Sequence, residues 1–484
     1  MLKRSMGGYG APVWGRHLDR LGGDRGAMSS LEEAEQPAGA EADQQPRTCD
    51  VLVIGGGPAG STISSLLAEK GWNVTLLDKD HHPRFHIGES LLPMNLPILE
   101  RLGVLEQVRE IGVLKPGVEM WSDRQSGRSQ AYYFDRLAGL AHPHAFQVRR
   151  SEFDHLLLQN AGAWGVDIHQ GTRVTEVAFR AKSTTLVRAR DDTGTNRVWS
   201  ARYLVDASGR NAFLSTRLGL KIKNDKHNST AIFGHFKGVV RGQGRAEGNI
   251  ALYWFQHGWF WMIPLPDGVM SVGAVCWPDY LKTRGQSLDD FLWDTIRLSP
   301  EAHHRMENAE LIGAAQATGN YAYQSKRMWG EGYLLIGDAF AFVDPVFSSG
   351  VYLAMTSADL GAEVVDACLR EGRSVVRLLE RFEGRVRGGL KTLSWFIYRF
   401  TTPAIHDLFM APRPIFRIEQ AVLATLAGDI FGRKWPALPI LLFKILYYVA
   451  AALNWGRSWA SYRRRKGNVR LPFTEEKTPG QEPS

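Results

Sequence analysis

A chain of 484 residues, with 44% hydrophobic, 22% charged and 11% aromatic side chains, has the apolar material for a large core; a disordered, collagen-like or disulfide-stapled protein is excluded. Cys49, Cys276 and Cys368 stand far apart with no C-x-x-C, which predicts neither a disulfide framework nor a metal site and fits a reducing cytoplasm. Half of the net charge of +8 comes from residues 455–484, where seven Lys/Arg face three Glu; a basic tail, unlike a basic stripe through the fold, does not predict a nucleic-acid partner.

Residues 1–46 are rich in Gly, Ala, Gln and Glu and lack an apolar h-region, so they read as a flexible extension rather than a secretory signal, with Met28 an alternative start. Cys49–Ile54 is a short apolar run of buried-strand type. A glycine turn follows at 55–60, then helical apolar spacing over Ser61–Lys70, then a second strand, Trp72–Leu77, closing on Asp78. That order is a βαβ unit. Further strands are predicted within 117–134, 172–178, 184–190, 230–276 and Gly332–Val343, a helix over Tyr352–Arg370, and mostly helix from 375 onward. The expected architecture is α/β. A Rossmann-like dinucleotide-binding domain spans 47–375, with a mixed β-sheet substrate region inserted at about 112–150 and 220–330. A helical region, 376–466, covers the substrate site, and 467–484 is a flexible basic tail. Ala437–Trp455, interrupted by Pro439, Lys444 and Asn454, is short for a membrane span and reads as a buried helix; membrane contact through 437–466 is an alternative that is not expected.

Gly55-x-Gly57-x-x-Gly60 gains its meaning from context: it follows a strand, opens a helix and precedes Asp78 by eighteen residues. Gly55 permits the tight turn, Gly57 (with Ala59 beside it) lets a pyrophosphate approach the backbone, and Gly60 lets the helix pack close. Asp78 can accept from an adenosine ribose. Two later strands also close on an acid and a glycine, at Val205–Arg210 through Asp206 and at Leu335–Ala339 through Asp338. Such an acid can accept from a ribityl hydroxyl. Asp344–Gly350 precedes a helix whose N-terminus suits negative charge. One Rossmann unit with a remote G-D segment resembles the FAD-binding (GR2-type) pattern of the aromatic hydroxylase and geranylgeranyl reductase superfamily, which implies FAD rather than NAD.

Gly258-Trp259-Phe260-Trp261-Met262-Ile263-Pro264 carries W-x-W-x-I-P, and Phe85–Pro93 contains G-E-S-L-L-P. Two Trp at i and i+2 share one face of a strand and make a bulky wall. Taken with Lys115, with Asp344–Met355 and with Thr401-Thr402-Pro403, these segments resemble the flavin-dependent halogenases of the phenol and pyrrole type over about residues 49–465. The resemblance implies a reaction. Reduced FAD and O2 give a C4a-hydroperoxide; chloride or bromide, held by the N–H groups of Ser349 and Gly350, attacks it; the hypohalous acid reaches Lys115, which hydrogen-bonds it or carries the halogen as a haloamine. Trp259 and Trp261 act as a shield against direct hydroxylation. Arg84, Glu89, Arg150 and Val351 complete the expected cofactor contacts. Tryptophan halogenases carry Glu where this chain has Phe347, which argues for an electron-rich phenol or pyrrole over free tryptophan. No nicotinamide fingerprint accompanies the flavin motif, so a separate flavin reductase is the expected partner, and the substrate is free or tethered to a carrier protein. His86, His142, His144 and His235 form no metal-ligand spacing and read as structural. The competing readings are a FAD-dependent hydroxylase, an isoprenoid reductase of the geranylgeranyl type, and a flavin-binding protein without chemistry.

Overall fold

In a computed structural model the structure describes residues 45–469, apart from 123–126, 181–183, 225, 320–321, 371–374, 412–417 and 432–436. The extension expected over 1–46 and the tail expected over 467–484 lie almost wholly outside the described residues. In chain order, β1 (Arg47–Ile54) runs through the glycine turn into α1 (Pro58–Glu69) and β2 (Val74–Leu77). A small ladder pairs β3 (Gly112–Lys115) with β4 (Ala145–Val148), and α2 (Arg150–Ala163) follows. Then come β5 (Asn196–Asp206), β6 (Thr230–Lys237), β7 (Gly258–Pro264), β8 (Met270–Cys276) and β9 (Tyr333–Leu335). The remainder is helical: α3 (Ser349–Arg370), α4 (Val375–Ile397), α5 (Ala437–Leu453) and α6 (Trp455–Val469) are its longest elements.

Two large sheets organise these pieces. In the first, β9, β5, β1 and β2 lie side by side and parallel, with α1 and α3 packed on it. Its strands are near-continuous apolar runs because both faces are covered: Val51, Leu52 and Val53 are fully buried. β1 ends at Ile54, next to Gly55, and β5 ends at Asp206, so the strand ends open at the same edge. The second sheet has seven strands, with β6, β8 and β7 adjacent and antiparallel and one parallel pair, Ile250–Phe255 with Gly117–Ser122. It is mixed, as the sequence predicts. Along β7 the side chains alternate: Trp259, Trp261 and Ile263 join the apolar cluster beneath the C-terminal helices, while Phe260 and Met262 join a second cluster under the helix Leu288–Arg297. Every residue of β7 is therefore buried, on both of its faces.

Two expectations need correction. Gly332–Val343 is not one strand; β9 stops at Leu335, Gly337 takes φ +56°, and a 3-10 turn over Gly337–Ala339 separates it from the short strand Ala341–Phe342. The buried helix expected over Ala437–Trp455 is only half buried. Ile440, Phe443 and Tyr447 pack inward, whereas Leu441, Ile445 and Val449 are about half exposed and Leu453 is 83% exposed. The helix is apolar all round, but its neighbours cover one side only.

Candidate active site

The glycine loop forms one wall of a cleft of about 3000 Å³ at the carboxyl edge of the parallel sheet. Gly55 has φ +100°, and a Cβ there would meet the Ala207 carbonyl oxygen at 2.5 Å; at Gly60 it would meet the Gly55 oxygen at 1.8 Å. These two glycines are demanded by the chain's own backbone. Gly57 differs: a Cβ would find nothing nearer than the Arg84 guanidinium at 3.7 Å, so its bareness leaves room in the cleft rather than in the fold. Ala59 and Val351 line the same cleft. Asp78, at the end of β2, accepts from the Gly56 N–H at 2.6 Å and from the Asp80 N–H at 2.9 Å. Burial opposes its charge, but the His82 ring, these N–H groups and Arg84 together hold its carboxyl below the usual range. It thus braces the glycine loop as well as lining the cleft.

Across the cleft Asp338 also lines the wall, its carboxyl pushed up to about 6 by burial against the opposing pull of Arg210 and Arg150. Asp206, expected to share that role, does not: its carboxylate accepts from the backbone N–H groups of Ser208 and Leu214, at 2.9 and 2.8 Å, closing its own turn. The strand-end acid is spent locally because the following turn leaves those donors inside the fold. Arg84 lies 3.6 Å from Asp80 and 3.7 Å from Asp154. Arg150 grips Asp154 through two hydrogen bonds of 2.7 and 2.9 Å and donates to the Ile87 carbonyl at 3.0 Å. It ties α2 to the segment carrying Glu89. Glu89 is 1% exposed; one oxygen accepts from His235 at 2.8 Å, and the other is buried without a hydrogen-bond partner among the described residues, on the cleft wall.

Lys115 does not line the cleft. It is fully buried behind the next residues of that segment, donating to the Ser90 hydroxyl and the Leu91 carbonyl, both at 2.9 Å, with its ammonium 5.6 Å from the Phe134 ring centre. The meeting follows from β4. One edge of β4 carries β3, ending in Lys115, and the Glu89–Leu91 segment hydrogen-bonds to the same strand through Phe146 and Val148. Burial alone lowers the lysine to about 7. Trp259 and Trp261, 5.9 Å apart between ring centres, line the cleft and share an apolar cluster with Phe134 and Leu92.

The segment before α3 is clamped. Asp344 accepts from the Val346 N–H at 3.1 Å, from the Ser229 hydroxyl at 2.9 Å and from His227 at 2.7 Å, all buried. Ser348 then adopts φ +54° and α3 begins at Ser349, so the N–H groups of Ser349 and Gly350 sit in its unsatisfied first turn. Phe347 is buried against Phe396 and Phe400.

A profile for the FAD binding domain matches residues 48–385. The pyrrole-2-carbonyl-[peptidyl-carrier protein] chlorinase of Pseudomonas fluorescens is 30% identical over 80% of this chain and 90% of its own length. The tryptophan 2-halogenase of Chondromyces crocatus is 34% identical over 67% of this chain and 62% of that protein. Among solved structures, the flavin-dependent brominase Bmp2 superposes with a TM-score of 0.74 at 30% identity, covering 84% of this chain and all of Bmp2. The chain is a flavin-dependent halogenase. This halogenase is an oxidoreductase that works with FAD and chloride or bromide, with O2 as oxidant.

The residues present fit the flavin: bare Gly57 and the unpartnered oxygen of Glu89 both border the cleft, and two carboxylates, Asp78 and Asp338, flank it. Sequence reasoning missed several supporting residues of the halogenase. Gly273 of β8 lies opposite Trp261 in the ladder, and a Cβ there would fall 2.2 Å from the indole. His235, read as merely structural, holds Glu89; His227 and Ser229 hold Asp344. Their partners lie more than a hundred residues away, so no local signal marks them.

Proposed function

We propose that this halogenase places an electrophilic halogen on a phenolic or pyrrolic ring, free or carrier-tethered, through Lys115. The observation that carries this reading is a lysine buried without a carboxylate partner among the described residues and lowered to about 7, one residue's thickness from the Glu89–Ser90 wall of the flavin cleft. When bound, reduced FAD supplies the electrons that, with O2, take halide to hypohalous acid. Gly55, Gly57, Ala59 and Gly60 would hold its pyrophosphate, Asp78 and Arg84 its adenosine end, and Asp338, Glu89, Arg150 and Val351 its flavin ring. Chloride or bromide sits on the N–H groups of Ser349 and Gly350, where the first turn of α3 offers unpaired donors. Trp259 and Trp261 keep the aromatic substrate off the flavin. The neutral Lys115 amine takes halogen from hypohalous acid, releasing water, or donates a hydrogen bond to it. Arginine, always charged, has no lone pair for the first route.

The helices of 376–466 cover the substrate side. Phe347, packed against Phe396 and Phe400, offers no carboxylate base, which favours a ring already activated by its own oxygen or nitrogen. One relative is named for a carrier-bound pyrrole and another for tryptophan. A separate flavin reductase supplies reduced FAD, and the three thiols, free among the described residues, suit a cytoplasmic setting.

The test is mass spectrometry of phenols, pyrroles and tryptophan incubated with the protein, FAD, a flavin reductase, NADH, O2 and either halide, with Lys115→Ala alongside. Halogen isotope patterns on a phenol or pyrrole, absent with the variant, support the reading. Halogenated tryptophan alone overturns the substrate assignment, and product undiminished in the variant overturns the role of Lys115.

A further inference from the structure

The C-terminal helix pair presents a surface that the halogenation chemistry does not use. α5 and α6 meet at a bend of 103°, and no single helix among the described residues is long and apolar enough to cross a membrane. On α5, Leu441, Ile445, Val449 and Leu453 recur at i, i+4, i+8 and i+12, all exposed. On α6 the stripe is aromatic: Trp455, Trp459 and Tyr462 stack in sequence, with ring centres 5.8 and 5.5 Å apart and near-parallel planes. The two most exposed apolar side chains of the pair, Leu453 at 83% and Trp455 at 68%, flank the corner. Two helices joined at a corner define a plane, so both legs can lie along one flat surface.

Charge narrows what covers this face. Between Asp429 and Glu475 the sequence has nine basic residues and no acidic one. Arg457, Arg463 and Lys466 are exposed on α6 beside the aromatic stripe, and the Arg463 guanidinium lies 5.7 Å from the Trp459 ring centre. Apolar side chains flanked by Trp, Tyr and the exposed Arg457, Arg463 and Lys466 suit the headgroup boundary of an anionic bilayer. There indoles sit at the interface, aliphatic chains enter the acyl layer, and Lys and Arg reach lipid phosphates. A second copy of the same face would bring like charges together.

We infer that α5 and α6 dock the protein on the surface of an anionic phospholipid membrane, lying along it rather than crossing it. This rests on the helix pair alone and stands or falls independently of the substrate. It takes up the alternative, membrane contact through 437–466, that the sequence reading named without expecting it.

The test is vesicle flotation of the full chain with phosphatidylcholine alone and with about three parts phosphatidylcholine to one of phosphatidylglycerol, at low and high salt. The variant combines Leu453→Glu, Trp455→Glu and Trp459→Glu, exposed positions whose change leaves the fold intact, checked by its melting temperature. The expected result is at least about tenfold stronger partitioning onto the anionic vesicles, weakened by salt and lost in the variant. Equal or absent binding to both vesicle types overturns the inference, as does a variant that binds like the parent. A parent that self-associates, or that captures an acidic carrier protein through these residues without floating on vesicles, overturns it in favour of that occupant.

Discussion

A lysine fully inside a protein without a counter-charge is unstable as an ammonium, and Lys115 shows the consequence in a value near 7 instead of 10.5. Because the folded chain gives up this proton first, the group weakens folding below pH 7, and stability recovers as pH rises from about 7 towards 10.5. Lys115→Met, similar in length and never charged, is expected to be more stable than the parent at pH 6 by a few kcal/mol in urea unfolding, with that advantage shrinking above pH 8. It is also expected to lose halogenation. In the parent, the single-turnover rate should climb through about pH 7 as the amine becomes neutral. The glycines separate by what their missing side chains would strike. Gly60→Val meets backbone at 1.8 Å and should not yield folded protein. Gly57→Val meets open space and should fold with an unchanged melting temperature, yet lose the thermal stabilisation that added FAD confers, about 2.7 kcal/mol at a hundredfold excess over Kd.

At the scale of elements, the tryptophan wall is a property of two strands. β7 supplies the indoles, and β8 supplies the bare position that lets Trp261 lie flat, its ring nitrogen donating to Ser271 at 3.2 Å. Gly273→Ala therefore forces the indole aside. The expected outcome is a loss of about 1–3 kcal/mol in chemical denaturation and, on the shielding role proposed for the wall, more oxygenated side product, read by mass spectrometry. The loop before α3 is likewise held from a distance, by His227 and Ser229 near the start of β6. Asp344→Ala removes a cap and two anchors at once. About 1–2 kcal/mol of stability should go with it, and KM for halide should rise several-fold while KM for the aromatic changes little, measured by steady-state assays at varied chloride.

Across the whole molecule, the parallel sheet sets the cleft and the seven-stranded sheet sets its far wall. The C-terminal helices complete the dry cluster in which Trp259, Phe347 and Phe400 meet. Lys115 belongs to neither large sheet. It hangs on the small ladder of β3 and β4, with its amine held by Ser90 and Leu91 and faced by the Phe134 ring.

The sequence by itself determined the βαβ unit that opens the parallel sheet, its glycine turn and the acid after β2, because strand–turn–helix–strand is written in contiguous residues with their own periodicity. It also determined the tryptophan wall, since i and i+2 share a strand face whatever the strand pairs with. Motif resemblance singled out Lys115, but nothing local showed that it is buried or that its amine is held by Ser90 and Leu91. Only the tertiary structure decided that Asp206 serves its own turn while Asp338 lines the cleft. Only it paired His235 with Glu89 and His227 with Asp344, set Gly273 under Trp261, and left one face of α5 uncovered. Each of these depends on which distant surface arrives opposite a residue, and apolar spacing along the chain reports that a side is dry without reporting what, if anything, covers it.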